Sequence, residues 1–352
     1  MRYRPFAYLP IVFRECRQSF LHKTMSAPSK PIFIALALTA AFLLSGCGNE
    51  AASINIRSEN NGQEEVSPLS PVSGRTPVSP YMVHRPATGS RYIYDSNTTV
   101  DISNIENGYI MLRYTGNASR VVLQMMSSSS ALTYTYNLDV TGNWEVFPLT
   151  MGDGVYTVNV LEHVEGQMFA VAVSTTFEVV LNNEKLPFLY PNQLVNFSEN
   201  SRATALAAEL AEGAKNELDV VRNIYEFVIN NIVYDSDFAA AVVAGQITQH
   251  IPDLDATIAS GQGICFDYAA LMTGMLRAQH IPTKLITGYV SGGIFHAWIN
   301  VYVPDVGWIN AVRFNGVDWS LMDPTFSAAF DPTGSIAAFV GDGSGHSPLF
   351  TH

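Results

Sequence analysis

The stretch GQGICFDYAALM, residues 261–272, decides how the C-terminal half of the chain folds. Its two glycines predict a turn, and the apolar residues after them predict a helix that ends before Pro282, since proline stops helical propagation. Cys265 therefore falls in the first turn of that helix. Unpaired N–H groups and the helix dipole favour a thiolate there, so the position suits a nucleophile. Taken alone, a cysteine at a helix start is more often a small buried apolar residue.

Two further polar residues follow this cysteine in chain order. Residues 296–303 (HAWINVYV) predict a strand in which alternate residues, beginning with His296, share one face. Residues 319–325 (WSLMDPT) predict another strand, which ends in the acidic residue Asp323. An acid can fix the tautomer of an imidazole and stabilise its charged form. The order of Cys265, His296 and Asp323 therefore suits a nucleophile, its base and an orienting acid.

Together these segments resemble the transglutaminase-like domain, a branch of the papain-like cysteine enzymes. The resemblance extends from Val220 to Phe326. Four pieces carry it, in family-like order and spacing: GxGxC at 261–265, LRAQHIPTK at 276–284, HAW at 296–298 and DPT at 323–325. It implies an α+β fold in which the cysteine begins a helix packed on an antiparallel sheet that bears the histidine and the aspartate.

The resemblance also implies roles for single residues. By position, Cys265 is the nucleophile, His296 the general base and acid, and Asp323 the orienting acid. Many relatives have an acidic residue where this chain has Asn300, a difference that affects the polar network of the strand rather than the triad. The Cys265 N–H is one natural oxyanion donor, and Tyr234 is our candidate for the second. Ordinary packing of Tyr234 is the alternative.

The N-terminus predicts an export signal. Residues 31–44 form an apolar run that is shorter than the roughly 20 residues of a membrane span, and Lys30 precedes it, as is typical of secretory signals. The run ends in LSGC at 44–47, which resembles the lipobox of bacterial lipoproteins and implies lipidation of Cys47. A buried apolar helix is the alternative. Met25 would make a cleaner start, so we expect an over-extended gene start.

Composition shifts divide the chain into five predicted parts. Short strands separated by turns at regular spacing predict a small β-sandwich, and a segment rich in Ser, Pro, Asn and Gly before it predicts a linker. The predicted parts are a signal peptide with lipobox at 1–46, a lipid-anchored disordered linker at 47–90, a β-sandwich-like accessory domain at 91–190, the transglutaminase-like catalytic domain at 200–330 and a C-terminal tail at 331–352.

Composition also excludes several function classes. The chain has 352 residues and a formal net charge of −12, which argues against nucleic-acid binding, because nucleic-acid binders normally show a basic face. Its three cysteines are too few for a disulfide-rich scaffold or a four-cysteine zinc site. The sequence contains no zinc-ligand spacing, phosphate-binding loop or dinucleotide fingerprint, so we expect no metal and no cofactor.

The sequence predicts a surface-anchored thiol enzyme that attacks peptide or amide bonds through an acyl-thioester on Cys265. We expect a peptidase or amide hydrolase acting on a peptide or protein, with cell-wall material among the candidates. Two alternatives stay open: amine transfer to protein glutamine, which cross-links proteins, and a non-catalytic binding or scaffold protein of the cell envelope. The expected location is extracytoplasmic, at the bacterial cell membrane, through the lipid on Cys47.

Overall fold

The computed structural model describes residues 89–290, 293–304, 307–310, 312–314, 319–321 and 346–352. The first described part, up to residue 179, is built from strands: β1 (Tyr92–Tyr94), β2 (Thr98–Asp101), β3 (Tyr109–Tyr114), β4 (Val121–Ser127), β5 (Thr133–Asn137), β6 (Trp144–Pro148), β7 (Gly154–Glu165) and β8 (Met168–Val179). They form two antiparallel sheets, with strand orders β1-β2-β3-β6 and β5-β4-β7-β8. Single-turn 3-10 helices lie at Ile105–Asn107 and Leu186–Phe188.

The two sheets face each other across one apolar core. Leu112 of β3 and Leu123 of β4 are fully buried in it, and alternate residues of β5 point inward, as the period-two pattern predicts. Phe350, which comes from the last strand of the chain, packs into the same core. The β region is therefore in contact with the C-terminal part, and its separation as an accessory domain at 91–190 stays a prediction.

Five helices follow the β region: α1 (Arg202–Ala211), α2 (Glu217–Asn231), α3 (Ser236–Val243), α4 (Leu254–Ser260) and α5 (Cys265–Ala278). Helix α2 begins where the Asn216 side chain accepts a hydrogen bond from the Asp219 N–H, 3.0 Å away. Its buried residues, among them Val221, Tyr225 and Val228, recur at the spacing that places them on one face of a helix. Helix α5 is buried along almost its whole length, with α1, α2 and α4 packed around it. It is the central helix of this part of the chain.

A second antiparallel layer supports α5. Its strands are β11 (Thr283–Val290), β12 (Ile294–Val303), β13 (Gly307–Asn310) and β16 (Ser347–Thr351), in the order β13-β12-β11-β16. Two small pairs accompany it: β9 (Val233–Tyr234) with β10 (Gln262–Gly263), and β14 (Val312–Phe314) with β15 (Trp319–Leu321). Helix α5 packs against β11 and β12, which gives the α+β arrangement of helix on sheet.

The edge strand β16 departs from the sequence analysis, which places residues 331–352 in a tail outside the catalytic domain. In the structure, Ser347–Thr351 pairs with β11, and Leu285 and His352 exchange two main-chain hydrogen bonds of 2.9 and 2.7 Å. The strand has only five residues and contains Pro348, so its sequence carries little strand signal. Its place is set by a sheet edge formed more than fifty residues earlier.

Arg277, near the end of α5, ties three segments together. Its guanidinium is fully buried and donates to the carbonyl oxygens of Tyr190, Thr283 and His352 at 2.7–2.9 Å. In the described part of the chain no carboxylate side chain pairs with it. Burial therefore lowers the pKa of Arg277 to about 9. The segment before the helices, the start of β11 and the end of β16 all depend on this side chain.

Candidate active site

The turn before Cys265 needs glycine at two positions for two different reasons. Gly261 ends α4 with a φ of 65°, in the left-handed region that favours glycine. Gly263 is packed against Asp267, and an added Cβ would lie 2.7 Å from the Asp267 Cβ. In the GxG sequence, the first glycine is therefore needed for its backbone conformation and the second for the close packing of Asp267.

Cys265 is the first residue of α5, as the sequence predicts. Its side chain is partly buried at the border of the core, and its thiol is free. Asp267 accepts a hydrogen bond from the Ile264 N–H through Oδ2, at 2.9 Å, which satisfies one of the donors that a helix start leaves unpaired. The N–H groups at the first turn surround the cysteine with positive potential.

His250 is a neighbour of this turn that the sequence analysis missed. It lies in the loop between α3 and α4, and its Nε2 is 2.6 Å from Asp267 Oδ1. An ionised carboxylate only accepts hydrogen bonds, so Nε2 is the donor. The contact joins residues seventeen positions apart through a loop, so neither spacing nor periodicity could have indicated it.

His296 is the third residue of β12 and is only 5% exposed. Its ring lies nearly parallel to that of Trp298, with the centroids 6.5 Å apart. Ala297 and Ile299, which alternate with these two residues, belong to the core that contains α5. This alternation confirms the predicted shared face of His296 and Trp298.

The fold packs together the elements that carry two of the three predicted triad residues. Helix α5, which begins at Cys265, packs against the Ala297 and Ile299 face of β12, and the alternate face of the same strand carries His296. Asp323 lies outside the described residues, as does the lipidation candidate Cys47. The catalytic roles of these residues stay predictions at this stage.

The oxyanion candidate Tyr234 lies beside the cysteine turn. It pairs with Gly263 in the parallel β9–β10 ladder, and the Asp235 N–H donates to the Gly263 carbonyl at 3.0 Å. Tyr234 and Cys265 both pack at the border of the same core. The strand that carries the candidate is thus bonded to the turn that ends at the cysteine.

The residue that leads into the edge strand β16 contacts Trp298, the neighbour of His296 on the same strand face. His346, just before β16, meets the Trp298 ring edge-on, with the centroids 5.0 Å apart. Trp298 therefore has one histidine ring stacked on it and another against it. His346 belongs to the segment that the sequence predicts to be a tail, so no pattern in the sequence indicated a place for it near the site.

Two kinds of feature are absent from the described ranges. No group of three or more His, Cys, Asp or Glu is placed there to hold a metal ion. No helix in those ranges is both long enough and apolar enough to cross a membrane. The apolar run at 31–44 lies outside them.

Residues 204–311 match the sequence model of the transglutaminase-like superfamily. A transglutaminase-like domain is therefore present in this part of the chain, which contains both Cys265 and His296. Its mixture of helices and strands agrees with the fold that the sequence resemblance implies. No curated protein sequence is similar enough to this chain to count as a relative.

Several solved structures are similar to the chain at low identity. A proposed cysteine protease from Cytophaga hutchinsonii is 16% identical over 74% of this chain and 73% of its own, with a TM-score of 0.34. A proposed protease from Parabacteroides distasonis is 14% identical over 51% of this chain and 36% of its own, with a TM-score of 0.24. Red sea bream transglutaminase is 14% identical over 62% of this chain and 48% of its own, with a TM-score of 0.20. The chain thus spans less than half of the last two.

Proposed function

We propose that this protein is a thiol enzyme that hydrolyses peptide or side-chain amide bonds through an acyl-thioester on Cys265. The observation that carries the proposal is the place of Cys265, a free and partly exposed thiol at the first residue of α5, the helix that packs on the strand of His296. The helix start favours the thiolate, which is the nucleophilic form of cysteine.

The acylation step assigns a role to each residue. His296 takes the proton of the Cys265 thiol, and the sulfur attacks the carbonyl carbon of the substrate to give a tetrahedral oxyanion. The Cys265 N–H and the Tyr234 hydroxyl donate hydrogen bonds to that oxyanion. His296 then gives its proton to the leaving amine, the C–N bond breaks, and the acyl group stays on the sulfur. In this scheme Asp323 orients the imidazole.

The second step decides the reaction class. A water molecule, deprotonated by His296, attacks the thioester, and the thiolate leaves with a carboxylic acid as product. An amine in place of water would form a new amide and make the enzyme a cross-linking transferase. We propose hydrolysis, because it is the simpler activity for a bacterial surface protein and needs no second substrate.

We also propose that the enzyme works outside the cytoplasm, held at the membrane by a lipid on Cys47, on peptides or proteins of the cell envelope. The lipobox-like segment at 44–47 supports this. Growth with radiolabelled palmitate should label the wild-type protein and leave a Cys47→Ala variant unlabelled. Equal labelling of the two would rule out the anchor without touching the catalytic proposal.

Alkylation of Cys265 tests the thiol chemistry. The purified full chain is treated with iodoacetamide across a pH series, and modification is followed on the Cys265 peptide by mass spectrometry, which separates it from Cys16 and Cys47. An activated thiolate reacts at pH values well below 8.5, near which free cysteine ionises, and His296→Ala should remove this advantage. Reactivity equal to that of free cysteine, unchanged in His296→Ala, would contradict the proposal and favour a non-catalytic binding protein.

A second experiment separates hydrolysis from transfer. Incubation with a casein-like protein and a labelled primary amine should yield new carboxyl or amino termini and little incorporated label. Cys265→Ser is the control, since it should give neither product. Label incorporation that exceeds cleavage would identify a transferase instead.

A further inference from the structure

Both carboxylate oxygens of Asp267 are used within the turn that presents Cys265. Oδ2 accepts from the Ile264 N–H at 2.9 Å, and Oδ1 accepts from His250 Nε2 at 2.6 Å. The Asp267 side chain is only 6% exposed, and that of His250 is 20% exposed. A carboxylate so deeply buried needs partners on both oxygens, and His250 supplies the second one.

The His250 ring is held in place by aromatic contacts as well as by this bond. It meets Phe238 of α3 edge-on at a centroid distance of 4.9 Å, and Phe266 in the same manner at 6.4 Å. Phe266 directly follows Cys265. One imidazole therefore connects α3, the loop before α4 and the first turn of α5.

The position of Asp267 creates an electrostatic conflict. As a cap it stabilises the start of α5, but its negative charge lies in the same helical turn as Cys265, where like charge disfavours a thiolate. Residues two apart on a helix differ by about 200° around its axis, so the carboxylate and the thiol point to different sides. Asp267 therefore acts on Cys265 through the turn rather than by contact.

Three acidic side chains at the starts of α3 and α4 accept hydrogen bonds from main-chain N–H groups at helix starts. Asp235 Oδ1 accepts from the Phe238 N–H, Asp253 Oδ1 from the Ala256 N–H, and Asp255 from two N–H groups at the start of α1. His250 is the titratable donor that the structure places on Asp267.

We propose that His250 is a positioning residue for Cys265. Its N–H holds the Asp267 carboxylate against the Ile264 N–H and, as a hydrogen-bond donor, draws part of the negative charge away from the cysteine turn, so that the helix keeps its cap while the cysteine keeps its thiolate. This inference rests on the proposed function, because it assigns to His250 a part in activating the same thiol.

Three variants test the inference. His250→Phe keeps an aromatic ring between Phe238 and Phe266 but removes the donor. Asp267→Asn keeps an oxygen for the Ile264 N–H but removes the charge. The double variant measures how far the two changes depend on each other. His163→Phe is the matched control, since His163 also bonds to an oxygen and meets a phenylalanine edge-on, but lies in the β7–β8 hairpin.

We expect His250→Phe to move the pH profile of Cys265 alkylation upward by about one unit, which is about a tenfold lower rate below the transition. kcat should fall by a similar factor, while KM stays within about twofold, because the substrate contacts are unchanged. In the Asp267→Asn background, His250→Phe should lower kcat and the alkylation rate by less than about twofold. His163→Phe should leave the profile in place.

The outcomes separate the two proposals. If wild-type Cys265 reacts like free cysteine, the proposed function fails. If wild-type Cys265 is activated and His250→Phe leaves its profile unchanged, whatever happens to the melting temperature, the role of His250 is overturned alone. Should His250→Phe not fold, His250→Leu and His250→Gln decide together, since leucine removes the donor to Asp267 whereas the amide of glutamine can still offer an N–H. An upward shift of the alkylation profile in His250→Leu that is absent or smaller in His250→Gln supports the inference, and equal profiles of the two variants overturn it.

Discussion

Gly288 lies directly opposite His296 in the β11–β12 ladder. Because Gly288 has no side chain, Ser347 and Trp298 can occupy the space beside it. A Cβ added to Gly288 would lie 2.2 Å from the carbonyl oxygen of Ser347 and 2.9 Å from Cη2 of Trp298. The same glycine therefore admits the edge strand β16 and the tryptophan that stacks on the candidate catalytic histidine.

We expect Gly288→Ala to destabilise the protein by about 1–3 kcal/mol, the usual cost of forcing extra volume into a packed site. Activity should fall more than stability alone explains, since relief of the clash moves either β16 or Trp298 beside His296. Urea unfolding and substrate turnover would measure the two effects. Ser347→Ala is the control: Ser347 meets Gly288 through its main chain, so loss of its hydroxyl should be nearly neutral.

The two glycines before Cys265 should respond differently to alanine. Gly263→Ala pushes on the Asp267 cap, so we expect a clear loss of Cys265 alkylation at neutral pH. Gly261→Ala strains a left-handed backbone position and places a Cβ 3.3 Å from the Asn231 carbonyl oxygen, but it does not touch Asp267. It should therefore cost about 1 kcal/mol of stability or somewhat more and leave the alkylation profile in place. Equal effects of both variants on alkylation would show that the turn acts as a whole and that the Asp267 contact has no special role.

Much of the site was predictable because it depends on local rules. The helix that begins at Cys265 follows from two glycines, an apolar period and Pro282. The shared face of His296 and Trp298 follows from strand alternation. These features depend on residues close in sequence, which is the range over which periodicity and turn chemistry act.

The unpredicted features all join distant segments. His250 meets Asp267 through a loop without regular structure, and β16 attaches to a sheet whose other strands end far earlier in the chain. In the sequence, Arg277 resembles an ordinary basic residue in the last turn of a helix. In the structure it is fully buried and donates hydrogen bonds to main-chain oxygens. Such pairings are selected by packing in the finished fold, and no local pattern in the sequence records them.

Replacement of Arg277 should be among the most damaging single changes. Arg277→Met leaves the carbonyls of Tyr190 and Thr283 without their buried donors, so we expect a loss of about 2–4 kcal/mol in urea unfolding. Arg222→Met is the control, because Arg222 is largely exposed and pairs only with Asp219, three positions earlier; its loss should stay below about 1 kcal/mol. Similar losses in both variants would contradict the anchoring role of Arg277.

His352 should make stability depend on pH. Burial, together with the positive charge of Arg277, lowers the pKa of His352 to about 3, from 6.5 in the unfolded chain. Between these values the unfolded chain binds more protons, so the free energy of unfolding falls as the pH falls, by up to about 1.4 kcal/mol per unit. At pH 7 this penalty is absent. The stability difference between wild type and His352→Phe should therefore shift by about 2 kcal/mol in favour of the variant between pH 7.5 and 5, and a constant difference would contradict the buried neutral state.

Two tyrosines near the cysteine turn should separate catalysis from stability. If the Tyr234 hydroxyl binds the oxyanion, Tyr234→Phe lowers kcat by about 10- to 1,000-fold with little change in KM, because the bond to the oxyanion forms only in the transition state. The Tyr268 hydroxyl instead donates to the Ile232 carbonyl, so Tyr268→Phe should cost about 1 kcal/mol of stability and spare kcat. Steady-state kinetics and urea unfolding on both variants give the comparison. A Tyr234→Phe enzyme with full kcat would remove Tyr234 from the mechanism and leave the Cys265 N–H to act with another donor.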